Sequence, residues 1–158
     1  MGDRITVDCQ PETMANPYSE LMLPVLLLTL AMIWTLPWTL LGLVIGIVGL
    51  ATGGGAKRVG RVLEFHGGWL TWLLTRAPIA GGACALTLGH TVLARTAGDL
   101  DRTRQHELVH VAQYERWGLL FVPAYLGCSA WLWLRGRHPY WDNPFEREAY
   151  NKEFGVEG

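Results

Sequence analysis

Thr103-Arg104-Gln105-His106-Glu107-Leu108-Val109-His110-Val111-Ala112-Gln113-Tyr114 decides how the rest of the chain is arranged. As a helix, it projects His106 and His110 from one face, one turn above the other. Two imidazoles so placed can grip a single Zn²⁺. Glu107, beside the first histidine, points away from such an ion but can reach a water held by it and take that water's proton. H-E-x-x-H arises by chance in roughly one chain in a hundred of this histidine and glutamate content. The competing reading is a metal-free helix with two surface histidines. Leu108, Val109, Val111 and Ala112 make the helix largely buried, and burying two unpaired imidazoles is costly, which favours metal.

The chain has 158 residues, enough for one compact domain. Its net charge is −1 and no basic stripe interleaves with aromatics, so nucleic acid is not an expected partner. Half the residues are apolar and 17% are charged, below the usual quarter, which points to a membrane protein. Cys9, Cys84 and Cys128 are scattered, with no C-x-x-C pair, and read as idle thiols in a reducing compartment.

Upstream of the motif, residues 1–20 are polar and acidic and read as a loose leader that is not a cleaved signal. Leu21–Leu50 carries no charge over thirty residues, and the segment 21–52 is expected to cross a bilayer. Pro37 makes it either one long, tilted helix kinked there or a hairpin of two short helices with Trp34 and Trp38 at the interface. Gly42, Gly46 and Gly49 recur at helical spacing, so another helix can approach closely. Lys57, Arg58 and Arg61 follow Gly53-Gly54-Gly55 and orient this end, with the domain beyond it, towards the cytoplasm. Val59–Leu63 and Ala83–Leu93 read as short strands, with Gly67-Gly68 and Gly81-Gly82 as turns. Trp69–Leu74 lies either along the membrane surface or in the core. His66 and His90 fit hydrogen-bonded structural roles better than metal ligation.

Asp99 or Asp101 is expected to cap the motif helix and Gly118 to end it. Gln113 shares the face of the two histidines and can hold a ligand imidazole or a substrate amide. Leu119–Leu134 is apolar over sixteen residues, short for a span, and reads as a half-embedded helix anchored by Trp131, Trp133, Arg135 and Arg137. A last helix opens with Asn143 as N-cap and Pro144 as its first residue. Asn-x-x-Glu is also a capping box, which explains Glu146 without a metal.

A hydrolytic zinc site needs a third protein ligand and one open position. Gln113 and Trp117 exclude a third histidine on the motif helix, which leaves a carboxylate from a later one. Glu146 and Glu148 compete; they stand about 200° apart around a helix, so both cannot face one ion.

His106-Glu107-Leu108-Val109-His110 followed by Glu146-Arg147-Glu148-Ala149-Tyr150 resembles the gluzincin metallopeptidases, notably the membrane-integral heat-shock and CAAX-protease types. Residues 83–150, from the motif through Trp117-Gly118, Pro123-Ala124-Tyr125 and Asn143-Pro144-Phe145-Glu146, also resemble small bacterial membrane proteins. The gluzincin resemblance implies Glu146 as third ligand, in a Glu-x-x-Ala-Asp pattern where Tyr150 stands in place of Asp. It further implies that Ala83–Leu93 is an edge strand beside the motif helix, to which an extended peptide can add. Tyr114, His138, Tyr140 and Tyr150 are the candidate donors to a developing oxyanion.

The expected protein is thus α+β: a transmembrane helix or helical hairpin, a small sheet, the motif helix and a C-terminal ligand helix. Residues 56–158 form a zinc metallopeptidase-like domain at the inner membrane, with a membrane-associated helix at 119–134. Zn²⁺ is the expected cofactor, held by His106, His110 and Glu146, with Glu107 as catalytic base. The bilayer and a peptide or protein substrate are the expected partners. The alternative is a non-catalytic membrane protein whose zinc only staples helices together.

Overall fold

The computed structural model describes residues 17–77 and 82–155. Along the chain run α1 (Pro17–Ala51), β1 (Gly55–Val59), β2 (Val62–His66), α2 (Trp69–Thr75), β3 (Ala85–Leu88), β4 (Thr91–Ala94), α3 (Ala97–Trp117), a 3₁₀ turn (Gly118–Leu120), α4 (Phe121–Leu134) and α5 (Pro144–Glu153). The protein is mixed α+β, as its patterning suggests. Cys9, Gly81 and the leader up to residue 16 lie outside the described residues; Pro17–Glu20 already belong to α1.

α1 is one helix through Pro24 and Pro37, so the hairpin alternative fails. Proline removes one backbone donor, and the intact bonds on either side keep the helix continuous. Both α1 and the helical run Ala97–Leu134 are long and apolar enough to cross a membrane. The glycine stripe of α1 meets the sheet at two of its positions and the short helix α2 at the third. A Cβ at Gly42 would overlap the Thr91 hydroxyl and Leu88, one at Gly46 the Phe65 ring, and one at Gly49 the Leu70 side chain. The stripe thus lets α1 lie flat against the sheet and α2.

The sheet has the order β1-β2-β4-β3, antiparallel except for the parallel pair β2/β4. Both hairpins close with two residues, since Val59 pairs Val62 and Leu88 pairs Thr91. Gly60 (φ 58°) and Gly89 (φ 59°) open these turns. The expected strand Val59–Leu63 therefore straddles a turn, and Ala83–Leu93 is two strands. An isolated Gly-Arg or Gly-His lacks the Asn-Gly signature of such turns and reads as strand interior, yet only glycine takes this positive φ cheaply.

Strand alternation sorts the core onto the two faces of the sheet. Val62, Val92 and Ala94 pack with Leu100 and Val111 of α3. Phe65, Leu88 and Leu93 pack with Leu70 of α2 and with Trp38, Leu43 and Ile45 of α1. A further cluster, Tyr114, Phe121 and Phe145, joins α3, α4 and α5.

The cap of α3 is Thr96, whose hydroxyl accepts from the Asp99 N–H at 3.1 Å; neither Asp99 nor Asp101 fills that role. Asp99 sits in the first turn, where a carboxylate favours the helix N-terminus. Gly118 (φ 54°) ends α3 as expected, and the Trp34 indole fills the space a side chain there would need. Trp38 Nε1 donates to the Leu119 carbonyl at 3.3 Å. Both tryptophans thus dock α1 onto the corner between α3 and α4.

Candidate metal centre

α3 brings His106 and His110 to one face, and α5 brings Glu146 to meet them. Asn143 caps α5 by accepting from the Phe145 N–H at 3.0 Å, and Pro144 is its first residue. Glu146, in the first turn, does not close a capping box, because the Asn143 N–H goes to the Tyr140 carbonyl at 3.0 Å. Its carboxylate faces the histidines instead. Oε2 lies 3.2 Å from His106 Nε2, and Oε1 lies 3.5 Å from His110 Nε2. The two Nε2 atoms are 3.1 Å apart. All three residues are buried.

These separations fit a shared ion. With metal–nitrogen bonds of about 2.0–2.1 Å, a tetrahedral site has ligand–ligand edges of about 3.3 Å. The hydrogen-bond network points the same way. Gln113 commits its NH₂ to the Phe145 carbonyl and to Glu148, both at 2.9 Å, so its Oε1 must accept from His110 Nδ1 at 2.8 Å. A neutral His110 then carries its lone pair on Nε2, facing another imidazole nitrogen and a carboxylate. Glu146 Oε2 is a buried oxygen without a hydrogen bond, although it lies within ion-pair reach of His106. Lone pairs converging at 3.1–3.5 Å repel unless a metal ion or a proton sits among them. Burial pushes the His110 imidazole down, but its contact with Glu146 outweighs this and raises it to about 9, so without metal a proton takes that place. Burial pushes the Glu146 carboxyl up, but in the metal-free site N–H donation from protonated imidazoles, together with the Tyr125 hydroxyl, outweighs it and holds the group well below the usual carboxylate range.

The cluster opens on a cavity of about 770 Å³ lined by β3 and by residues of α1, α3, α4 and α5. Its walls are largely apolar, with Trp38, Leu86, Phe121, Val122 and Leu126 among them. Glu107 lines the same cavity, 6% exposed, and accepts from the Thr87 hydroxyl at 2.6 Å. β3 is the outer strand on this side of the sheet and packs beside α3, as expected of the edge strand.

Glu148 stands apart, between Gln113, Arg116 and Lys152, at 2.8–2.9 Å from each. Of the four candidate oxyanion donors, Tyr114, Tyr140 and Tyr150 line the cavity, the last two with their hydroxyls 3.2 Å apart. Burial, and for Tyr140 the charge of Glu146 next, pushes both phenols up, so both remain protonated. Tyr114 is 1% exposed and packs in the aromatic core. His138 accepts the N–H groups of Tyr140 and Trp141 and shapes a turn. His90 is the structural histidine expected, held between Thr35 at 3.1 Å and Glu115 at 3.0 Å.

Sequence reasoning missed Thr87 and Tyr125, whose hydroxyl donates to Glu146 Oε1 at 2.7 Å. A tyrosine inside the apolar run Leu119–Leu134 is the one signal that could have found Tyr125. No family model, curated protein or solved structure matches this chain, so the geometry of the site carries its interpretation.

Proposed function

We propose that the chain is a membrane-anchored zinc peptidase, its domain facing the cytoplasm, in which Glu107 is the general base. The supporting observation is the convergence of His106, His110 and Glu146 at 3.1–3.5 Å beside a cavity that Glu107 also lines. Three ligand atoms leave one tetrahedral position for a water or substrate, the pattern of hydrolytic rather than structural zinc.

When bound, zinc supplies a Lewis acid that polarises a carbonyl and acidifies a water. His106, His110 and Glu146 would hold it, and Tyr125 fixes the Glu146 carboxylate by donating to Oε1. Glu107 takes the proton of the attacking water and returns it to the leaving amine. Thr87 keeps that carboxylate in place through Oε2. Tyr140 and Tyr150 present protonated hydroxyls in the same cavity, suited to a developing oxyanion. The free edge of β3 can pair with an extended peptide, whose apolar side chains fit the cavity walls.

The test uses full-length protein in detergent, assayed for bound zinc and for cleavage of an unstructured peptide library. Glu107→Gln is expected to keep zinc and lose cleavage by about 10²–10⁴-fold. His106→Ala loses both. Undiminished turnover in Glu107→Gln refutes the mechanism.

A further inference from the structure

The two imidazoles are supported differently. His110 Nδ1 has the Gln113 oxygen at 2.8 Å, whereas His106 Nδ1 is buried without a hydrogen bond among the described residues. What faces it, at 3.3 Å, is Oε2 of Glu153. Glu153 lies seven residues beyond Glu146, two helical turns along α5, so both carboxylates project from one face of that helix. Between them Tyr150 lays its ring against His106, with centroids 4.5 Å apart.

Nothing else explains an acid at this place. Glu153 is the last residue of α5, where the helix dipole disfavours negative charge. Its side chain is only 22% exposed, and among the described residues no lysine or arginine pairs with it. Its one ionic neighbour among the described residues is the His106 ring.

We propose that Glu153 is the positioning residue for His106. Its carboxylate receives the Nδ1 proton, which fixes the tautomer that turns the Nε2 lone pair towards Glu146 and His110 and raises the basicity of that nitrogen. Tyr150 supplies packing against the same ring. One helix therefore serves the site twice, with a ligand in its first turn and a support in its last. This inference rests on the zinc reading of the site but not on peptidase activity.

The experiment measures zinc affinity of full-length protein in detergent by competition with a chromophoric chelator. The visible spectrum of the Co²⁺-substituted protein and the melting temperature of chelator-stripped protein are recorded alongside. Glu153→Ala is expected to bind zinc about 10–100-fold more weakly and to shift the Co²⁺ bands. Glu153→Gln, which keeps an acceptor oxygen, loses less. Stripped Glu153→Ala melts with the wild type, because the acid serves the ligand and not the helix, and exposed Asn151→Ala on the same turn changes neither affinity nor spectrum. Wild-type affinity and spectrum in Glu153→Ala, or an equal loss in Asn151→Ala, overturns the proposal while leaving the peptidase reading intact. Wild-type protein that binds no zinc overturns both.

Discussion

Gln113→Leu separates a residue that tunes a metal ligand from one that merely packs. Leucine nearly matches glutamine in volume, so the loss is of hydrogen bonds and not of filled space, at a site 1% exposed. Three bonds disappear, to His110 Nδ1, the Phe145 carbonyl and Glu148. Glu148 keeps Arg116 and Lys152 at 2.8 Å, so its share of the loss is small. Stranding the buried His110 N–H costs about 1–3 kcal/mol and the Phe145 bond about 1 kcal/mol. At about 2–4 °C per kcal/mol for a chain of this size, stripped protein should melt roughly 10 °C lower. Freed from its tautomer lock, His110 should also hold zinc about 10–100-fold more weakly. Tryptophan fluorescence on heating, with chelator and with saturating zinc, reads the first quantity, and chelator competition reads the second. Gln113→Glu divides the two effects: the carboxylate still accepts from His110 but cannot donate to Phe145 or Glu148, so stability falls while affinity stays closer to wild type. If Gln113→Leu melts lower yet binds zinc as tightly as the wild type, the tautomer reasoning is wrong.

Two further pairs of substitutions test the ligand set and the seat of the long helix. Glu146→Ala should abolish stoichiometric zinc in detergent-purified protein, whereas Glu148→Ala should retain it, because only the former carboxylate lies within 3.5 Å of both histidines; the reverse result would reassign the third ligand. Gly42→Ala drives a methyl into Thr91 and Leu88 and should cost about 1–3 kcal/mol, while Gly127→Ala, with open space around it, should not destabilise; equal melting temperatures for the two would remove α1 from the sheet.

The shared face of the two histidines and the cap of the last helix were legible because each rests on local chemistry, whereas the choice of Glu146 over Glu148 as the acid that meets them came from the family resemblance. Histidines four residues apart share a helix face in any fold, and Asn-Pro opens a helix whatever follows. The role of Gln113 was legible for the same reason, since it shares the histidine face. The strands were read less well. Gly60 and Gly89 each begin a two-residue turn, but their partners are Arg61 and His90, and the positive φ that marks the turn is invisible without the pairing. The glycine stripe of α1 correctly signalled a close approach, but a helix (α2, through Leu70) meets it only at Gly49, while Thr91 and Phe65, which meet Gly42 and Gly46, come from strands. Thr87, Tyr125 and Glu153 escaped because each reaches the site across 20 residues or more, or from a helix end where an acid carries no pattern of its own.

A zinc that only staples α3 to α5 needs His106, His110 and Glu146, and it has no use for Glu107. Yet Glu107 is 6% exposed, and among the described residues no cation pairs with it; the Thr87 hydroxyl is its side chain's one hydrogen-bond partner. A buried carboxylate with a single neutral donor opposes folding, since desolvation outweighs one hydrogen bond. Natural chains retain such a residue where activity demands it, trading stability for function. Glu107→Leu should therefore leave stripped protein at least as stable as the wild type: the charge is gone, the apolar cavity wall is extended, and the Thr87 hydroxyl can turn to the Glu107 backbone carbonyl, already 3.4 Å away. The same variant should keep its zinc and cleave nothing. A fall in melting temperature comparable to that of a core truncation would mean that Glu107 supports the fold, and the staple would then be the better account of the metal.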